Sequence, residues 1–350
     1  MTKRERVVVV CPGRGTYNQA EWGYLHRHHA HQDELLARFD AYRARHGLPG
    51  LRALDREIPY QMKLHSRGDH ASALIYACAY CDALDIDLRR YEIVAVTGNS
   101  MGWYIALAVA QALSAQDGLH LVDTMGRLMQ EALIGGQLVY PWVDEDWRPQ
   151  PEVRQRLLGL LHEPGEGQVY LSIDLGGMLV FGGDEAGLKR LERALPQRER
   201  FPLRLYNHAA FHTPLQRPVR ERAREALADL PLTAPRVPLI DGRGQVWTPY
   251  STDPAALWDY TLGHQLVEPY DFTRAVTVAV EEFAPDRLVV LGPGNTLTGA
   301  VAQILIQRNW CGLQDKRGFQ ARQERDPVLL AMAWPEQRRR AAARLDHSPG

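Results

Sequence analysis

Apolar and polar positions along this chain fall into blocks that read in turn as strands and helices. Val7–Val10 is four consecutive β-branched residues, which predicts a short buried strand. Ser72–Leu84 is apolar almost all round, so it predicts a buried helix. A second apolar strand, Glu92–Thr97, runs through Gly98–Gly102 into a long apolar helix over Tyr104–Leu113. Another helix is expected over Ala115–Gln130, with Ser114 as its N-cap and Asp117 three residues on, close to a capping box. From about Ile134 the pattern changes. Gly135-Gly136 breaks the helix, and a loop rich in Trp and Pro follows. Then come a helix over Glu152–Leu161, strands over Gln168–Ile173 and Met178–Phe181 joined at Gly176-Gly177, and a helix over Asp184–Leu195. That order predicts a small α+β insert of split-βαβ type. Phe201–Leu205 is expected to return as a strand to the larger domain. Val237–Asp241 and Arg287–Leu291 read as strands, Leu257–Leu266 as a helix stopped by Pro269, and Gly292–Asn295 as the opening of the last core helix. From about Asn309 the chain is rich in Arg, Gln and Glu. A polar helix and a frayed tail are expected over Arg338–Arg344.

Composition narrows the class. The 350 residues are long for one domain, which favours a large domain with a smaller inserted or appended one. A hydrophobic fraction of 45% with 24% charged residues is that of a soluble globular protein. The formal net charge of −1 argues against bulk electrostatic binding to nucleic acid or to a membrane surface. No apolar run approaches the ~20 residues of a transmembrane helix. The four valines before Cys11 are too few for the core of a signal peptide. Four cysteines (Cys11, Cys78, Cys81, Cys311) form no disulfide framework, and a reducing cytoplasm is expected.

Candidate chemistry centres on Gly98-Asn99-Ser100-Met101-Gly102. A G-x-S-x-G between strand and helix is the pattern of a nucleophile elbow. The turn is so tight that serine takes a strained conformation, and glycines on either side remove clashing side chains. Ser100 Oγ is then presented at the end of the strand, and the Met101 N–H points at a developing oxyanion. An ordinary strand-to-helix turn with a serine N-cap is the plainer alternative. Cys11-Pro-Gly-Arg-Gly-Thr16 lacks the Gly-Lys-Ser/Thr ending of a phosphate loop and is not G-x-G-x-x-G. The run His26, His28, His29, His31 has no i, i+4 metal spacing with a carboxylate and reads as a solvated helix surface. Cys78-x-x-Cys81 falls mid-helix and reads as core. Asn207–Leu215 carries two histidines, His208 and His212, in a loop before a helix.

Five stretches together resemble the malonyl-CoA:acyl carrier protein transacylases and the acyltransferase domains of polyketide synthases, over residues 7–305. The family's P-G-Q-G is Pro12-Gly13-Arg14-Gly15 here, and its elbow G-H-S-x-G-E is Gly98–Trp103. Its R-G-R-L-M-Q is Met125–Gln130, its A-F-H-S-P-L-M is Ala210–Gln216, and its E-V-G-P-G-x-x-L-T matches Val290–Thr298. The resemblance implies an α/β fold, in which an α/β-hydrolase-like large domain with a parallel sheet (1–133 and 205–310) is interrupted by a small ferredoxin-like domain (134–204). A C-terminal extension over 311–350 follows. It implies ping-pong transfer of an acyl group from acyl-CoA, through acyl-Ser100, to the phosphopantetheine thiol of an acyl carrier protein, by a monomer with no cofactor beyond the CoA substrate and no metal. His212 is the implied base, with His208 the competitor. The backbone carbonyl of Gln265 would orient it, and Met101 and Arg14 would flank the oxyanion hole.

Three departures bear on the substrate. The arginine that clamps the malonyl carboxylate in the family is Met125, which cannot bind a carboxylate. Arg127, about 200° round the helix, does not substitute. Malonyl in the usual pose is therefore not expected, and a neutral acyl group is favoured. Arg14 replaces the P-G-Q-G glutamine. It is read three ways: strengthening oxyanion binding, acting as a relocated carboxylate receptor, or pointing outward. Asn99 and Trp103 replace the His and Glu around the serine; Trp103 adds bulk near the pocket or packs the helix. Phe211 implies a small pocket. A stand-alone thioester hydrolase of the same fold, and a carrier-binding scaffold without activity, are the alternative functions.

Overall fold

The computed structural model describes residues 3–343. Two sheets dominate it. Their strands in chain order are β1 (Glu5–Cys11), β2 (Tyr91–Gly98), β3 (Gly136–Pro141), β4 (Val169–Leu175), β5 (Met178–Gly183), β6 (Leu203–Arg204), β7 (Leu239–Ile240), β8 (Val246–Trp247), β9 (Tyr270–Asp271), β10 (Arg287–Val290) and β11 (Leu329–Ala331). The six-stranded sheet has the order β11-β10-β1-β2-β7-β8 and the five-stranded sheet β6-β3-β5-β4-β9. In the larger sheet every neighbouring pair is parallel except β7 with β8.

Val7–Val10 lies in the interior of that sheet with all four side chains fully buried. A parallel strand covered on both faces must be apolar throughout, and burying each valine contributes roughly 1.5–3 kcal/mol. The loops after β1, β2 and β10 gather at the carboxyl ends of the strands, where an open parallel sheet leaves a crevice. The helix after β2 (Gly102–Val109) and the next (Ala115–Glu131) pack on this sheet, and Ser114 caps the second by accepting from the Asp117 N–H.

Several elements differ from expectation. Gly136–Pro141, read as loop, is a strand pairing antiparallel with β5, because the Leu138 and Tyr140 side chains find partners in the smaller core. Phe201–Leu205 does not return to the larger sheet. Its strand, Leu203–Arg204, pairs with β3. The smaller sheet also takes its edge strand β9 from far along the chain, parallel to β4. Nor is the segment from 311 a mere extension. Leu329–Ala331 is buried and hydrogen-bonds β10 as the edge of the larger sheet. The Pro335–Ala341 helix docks through Arg338, and Arg344 of the expected tail lies outside the described residues.

Arg338 ends in a buried ionic cluster. Its guanidinium pairs with Asp82, whose other oxygen accepts from Tyr24 Oη at 2.8 Å and the Gly292 N–H at 2.7 Å. His29 is fully buried there rather than solvated, with Nε2 2.9 Å from Asp82 and Nδ1 3.1 Å from Asp85. His31 approaches Asp85 at 2.8 Å, so the ligand-type atoms of His29, His31 and Asp85 lie within 4.8 Å of one another. Arg338 and His29, whose pKa the two acids raise, face both carboxylates, and contacts with His29 hold both acids below the ordinary carboxylate range despite burial. Cys78 and Cys81 are buried mid-helix, and burial pushes both thiols up, which is the opposite of a redox-active pair. Among the described residues no helix is long and apolar enough to cross a membrane.

Breaking a buried ion cluster on one side leaves uncompensated charge. Asp82→Ala is expected to lower stability by about 3–5 kcal/mol. Chemical denaturation of both proteins checks this; a loss near zero would mean the cluster is solvated.

Candidate active site

The end of β2 turns so sharply that the backbone itself fills the space where side chains would stand. A Cβ on Gly98 would lie 2.3 Å from the Gly102 carbonyl oxygen, and one on Gly102 would lie 2.3 Å from that of Cys11. Both positions are therefore closed to any side chain, and the elbow is seated on the end of β1. Between them Ser100 takes φ 57°, a left-handed conformation costing roughly 1–3 kcal/mol. The Gly102–Val109 helix starts immediately after, with Met101 at its N-cap. Among the described residues the Met101 N–H has no intramolecular acceptor, and neither does the Arg14 N–H in the loop after β1. Two free N–H groups near Ser100 suit a developing oxyanion.

Ser100 Oγ lies 2.7 Å from His212 Nε2. On the other side of the ring, Nδ1 lies 2.6 Å from the Gln265 carbonyl oxygen. A carbonyl only accepts, so Nδ1 carries the proton and Nε2 offers its lone pair to the serine hydroxyl. His212 is itself at φ 56° and buried, with the Tyr270 ring 5.2 Å away. Burial pushes its pKa down to about 4, partly opposed by the Gln265 hydrogen bond. It is a neutral base at neutral pH.

Gln265 does more than the sequence indicates. Its Nε2 donates to the Ser100 carbonyl at 3.1 Å and its Oε1 accepts from Tyr104 Oη at 3.1 Å. Tyr270 Oη donates to the Gly98 carbonyl at 2.5 Å. Tyr104 and Tyr270 were not legible as site residues, because each acts through a backbone or side chain remote in sequence.

A cavity of about 520 Å³ opens at Ser100 between the two sheets. Met125, Asn99, Phe211 and Arg14 all line it. Met125 is buried in its wall, whereas Arg127 is exposed beside Glu131. Trp103 packs its helix rather than the pocket expected for it: it lines no part of the cavity. It is fully buried, its Nε1 donates to Thr261 Oγ1 at 3.0 Å, and it meets the Tyr260 ring edge-on at 5.2 Å. The first turn of its helix aims it into the core beneath the elbow.

His208, the competing base, is held apart from Ser100. Ser172 Oγ donates to the Phe211 carbonyl at 2.6 Å, Gln137 Nε2 donates to Ser172 Oγ at 2.8 Å, and Gln137 Oε1 faces His208 Nδ1 at 2.9 Å. That direction of donation puts the His208 proton on Nδ1. Burial, with Arg14 nearby, pushes its pKa down to about 3. The relay through Gln137 and Ser172 gave no signal in the sequence.

No protein-family profile matches the chain. Among curated proteins it is 28% identical over 224 residues to a malonyl CoA-acyl carrier protein transacylase of Salmonella typhimurium, covering 60% of this chain and 65% of that protein. It is 29% identical over 221 residues to a phenolphthiocerol/phthiocerol polyketide synthase subunit of Mycobacterium tuberculosis, covering 62% of this chain and 11% of that one. The match thus spans somewhat under two thirds of the transacylase's length. Among solved structures, a malonyl-CoA:acyl carrier protein transacylase from Xanthomonas oryzae superposes with TM-score 0.74 at 23% identity, covering 98% of this chain and 100% of that one. A malonyl-transacylase solved in complex with a type II polyketide synthase acyl-carrier protein gives TM-score 0.67 at 19% identity, covering 86% and 93%. These structures share the fold: a mixed α/β architecture with a parallel sheet and a small ferredoxin-like part.

The neutral, buried His212 predicts a pH profile. Labelling of Ser100 by a serine-directed organophosphonate should stay level from about pH 8 to about pH 5. It should then fall as His212 protonates near pH 4. Intact-protein mass spectrometry gives the rate; a midpoint near an ordinary histidine value would show that His212 is hydrated or is not the base.

Proposed function

We propose that this chain, a divergent relative of the malonyl-CoA:acyl carrier protein transacylases and polyketide synthase acyltransferases, moves an acyl group from CoA to an acyl carrier protein through acyl-Ser100. The observation that carries the reading is the chain of contacts from Ser100 Oγ through the His212 ring to the Gln265 carbonyl, at 2.7 and 2.6 Å. It stands at the mouth of a cavity beside two unused backbone N–H groups.

The steps follow from the atoms present. Ser100 Oγ attacks the thioester carbonyl carbon while its proton passes to His212 Nε2. The Met101 and Arg14 N–H groups receive the oxyanion, a donor contribution of about 2.7–4 kcal/mol each in comparable sites. Collapse breaks the C–S bond, and His212 returns the proton to the departing thiolate. The second half runs in reverse, with the pantetheine thiol of the carrier protein as nucleophile. Gln265 stabilises the imidazolium with a carbonyl dipole instead of a carboxylate. That is weaker support than an acid, but a thioester demands less than an amide. The two strained residues, Ser100 and His212, are the two between which the proton moves. The acyl group is not clamped by an arginine at the Met125 position.

Incubation with acyl-CoAs followed by intact-protein mass spectrometry should give one acyl adduct on Ser100, absent in Ser100→Ala. His212→Ala should slow adduct formation by about 10²–10⁴-fold. Adding a carrier protein bearing phosphopantetheine should discharge the adduct onto it. Rapid discharge to water without the carrier protein would replace transfer by hydrolysis, and no adduct with any acyl-CoA would remove the enzymatic reading.

A further inference from the structure

The cavity wall holds a charge with no acid beside it on that wall. Among the described residues lining the cavity there is no aspartate or glutamate. Arg14 lines it from the loop after β1, only partly open to solvent. Arg200, the other cation on the wall, is exposed and lies over the Phe201 ring. His208 is neutral. Arg14 is therefore the cation withdrawn from water.

Its donors are poorly used. Nη2 donates to the Ser66 carbonyl at 2.7 Å and Nη1 meets the Met129 thioether at 3.2 Å, while Nε is shut from solvent with no partner. A guanidinium has five N–H groups, and sulfur is a weak acceptor. Asp69 is the acid whose field acts on Arg14, but it is engaged by Arg67 through contacts of 2.8 and 3.0 Å. Burial pulls the Arg14 pKa down to about 10, so the group remains charged at neutral pH without a counter-ion. Leaving one member of a buried pair without the other is strongly unfavourable. A purely structural role does not require the charge. The Ser66 carbonyl already accepts from Asn207 Nδ2 at 2.9 Å, and a neutral donor at position 14 would serve as well.

Position supplies the rest. Met129 lies one turn beyond Met125 on the same helix, and both line the cavity. The Arg14 guanidinium is thus laid against the same methionine-lined wall, reached from the loop after β1. The helix brings thioethers to the cavity and Arg14 brings the cation.

We propose that Arg14 is the receptor for a carboxylate at the free end of the acyl chain, so that the preferred substrate is a dicarboxylic acyl thioester. A carboxylate oxygen pair matches the fork of a guanidinium, and the methionines present thioether surface to the intervening methylenes. The inference rests on the Ser100 acyl transfer proposed above, and it sets aside the neutral acyl group that Met125 alone favours.

The test measures adduct formation on Ser100 with chain-matched CoA thioesters: malonyl against propionyl, succinyl against butyryl, and glutaryl against valeryl. The wild type should load the carboxylated member of at least one pair at least about tenfold faster. Arg14→Gln should cut that ratio at least about tenfold, and Arg14→Lys should cut it less, because an ammonium keeps the charge but loses the fork. The ratio is measured on one preparation, so partial misfolding does not move it. If Arg14→Gln does not fold, the Arg14→Lys ratio decides. Equal or faster loading of the neutral members by wild type overturns the proposal, as does a ratio left unchanged in either variant. No Ser100 adduct with any of the six thioesters would instead overturn the acyl-transfer reading on which it depends.

Discussion

The geometry of the candidate site depends on Gln265. Its backbone carbonyl holds the His212 ring, and its side-chain amide holds the Ser100 carbonyl. One residue thereby sets the distance between a nucleophile on the larger sheet's elbow and a base 112 positions later in the chain. Tyr104 fixes the orientation of that amide by donating to its oxygen. Without this clamp, two residues in left-handed conformations would be free to relax toward ordinary backbone angles. At Ser100 the strain is tolerated because the surroundings over-determine it: glycines with no room for a side chain on either side, and hydrogen bonds to the Gly98 and Ser100 carbonyls.

The two sheets meet at this point rather than merely lying side by side. Strand β9 completes the smaller sheet, yet its Tyr270 reaches the Gly98 carbonyl at the end of β2 and packs on His212. Ser172 on β4 touches the carbonyl of the residue before the base. The cavity wall is accordingly built from both parts, with Met125 and Met129 from the larger and Val139, Ile173 and Val180 from the smaller.

Local pattern carried most of what was legible in the sequence. The elbow, the Ser114 cap and the helix over Ser72–Leu84 declare themselves within ten or so residues, because tight turns and caps have strict local chemistry. The pairing of Ser100 with His212 and Gln265 required family resemblance, since nothing local links positions so far apart. What was not legible depends on partners elsewhere in the chain. Trp103 belongs to the core because Thr261 and Tyr260 receive it. His29 is buried because Asp82, Asp85 and Arg338 converge there. Gly136–Pro141 becomes a strand because β5 pairs with it; its interior Leu138-Val139-Tyr140 suits a strand, but the Gly and Pro that bound it read as loop. Leu329–Ala331 joins the sheet within a stretch whose composition reads as solvent-facing.

The relay from His208 through Gln137 and Ser172 ends on the Phe211 carbonyl, one bond from the backbone nitrogen of His212. The cavity wall at His208 and the backbone that carries His212 are therefore mechanically joined in this molecule. An amino-acid change at His208 that reshaped the cavity wall would pull on the peptide carrying His212. The shape of the cavity and the placement of His212 would not vary independently, and a change tolerated at one would call for a compensating change at the other.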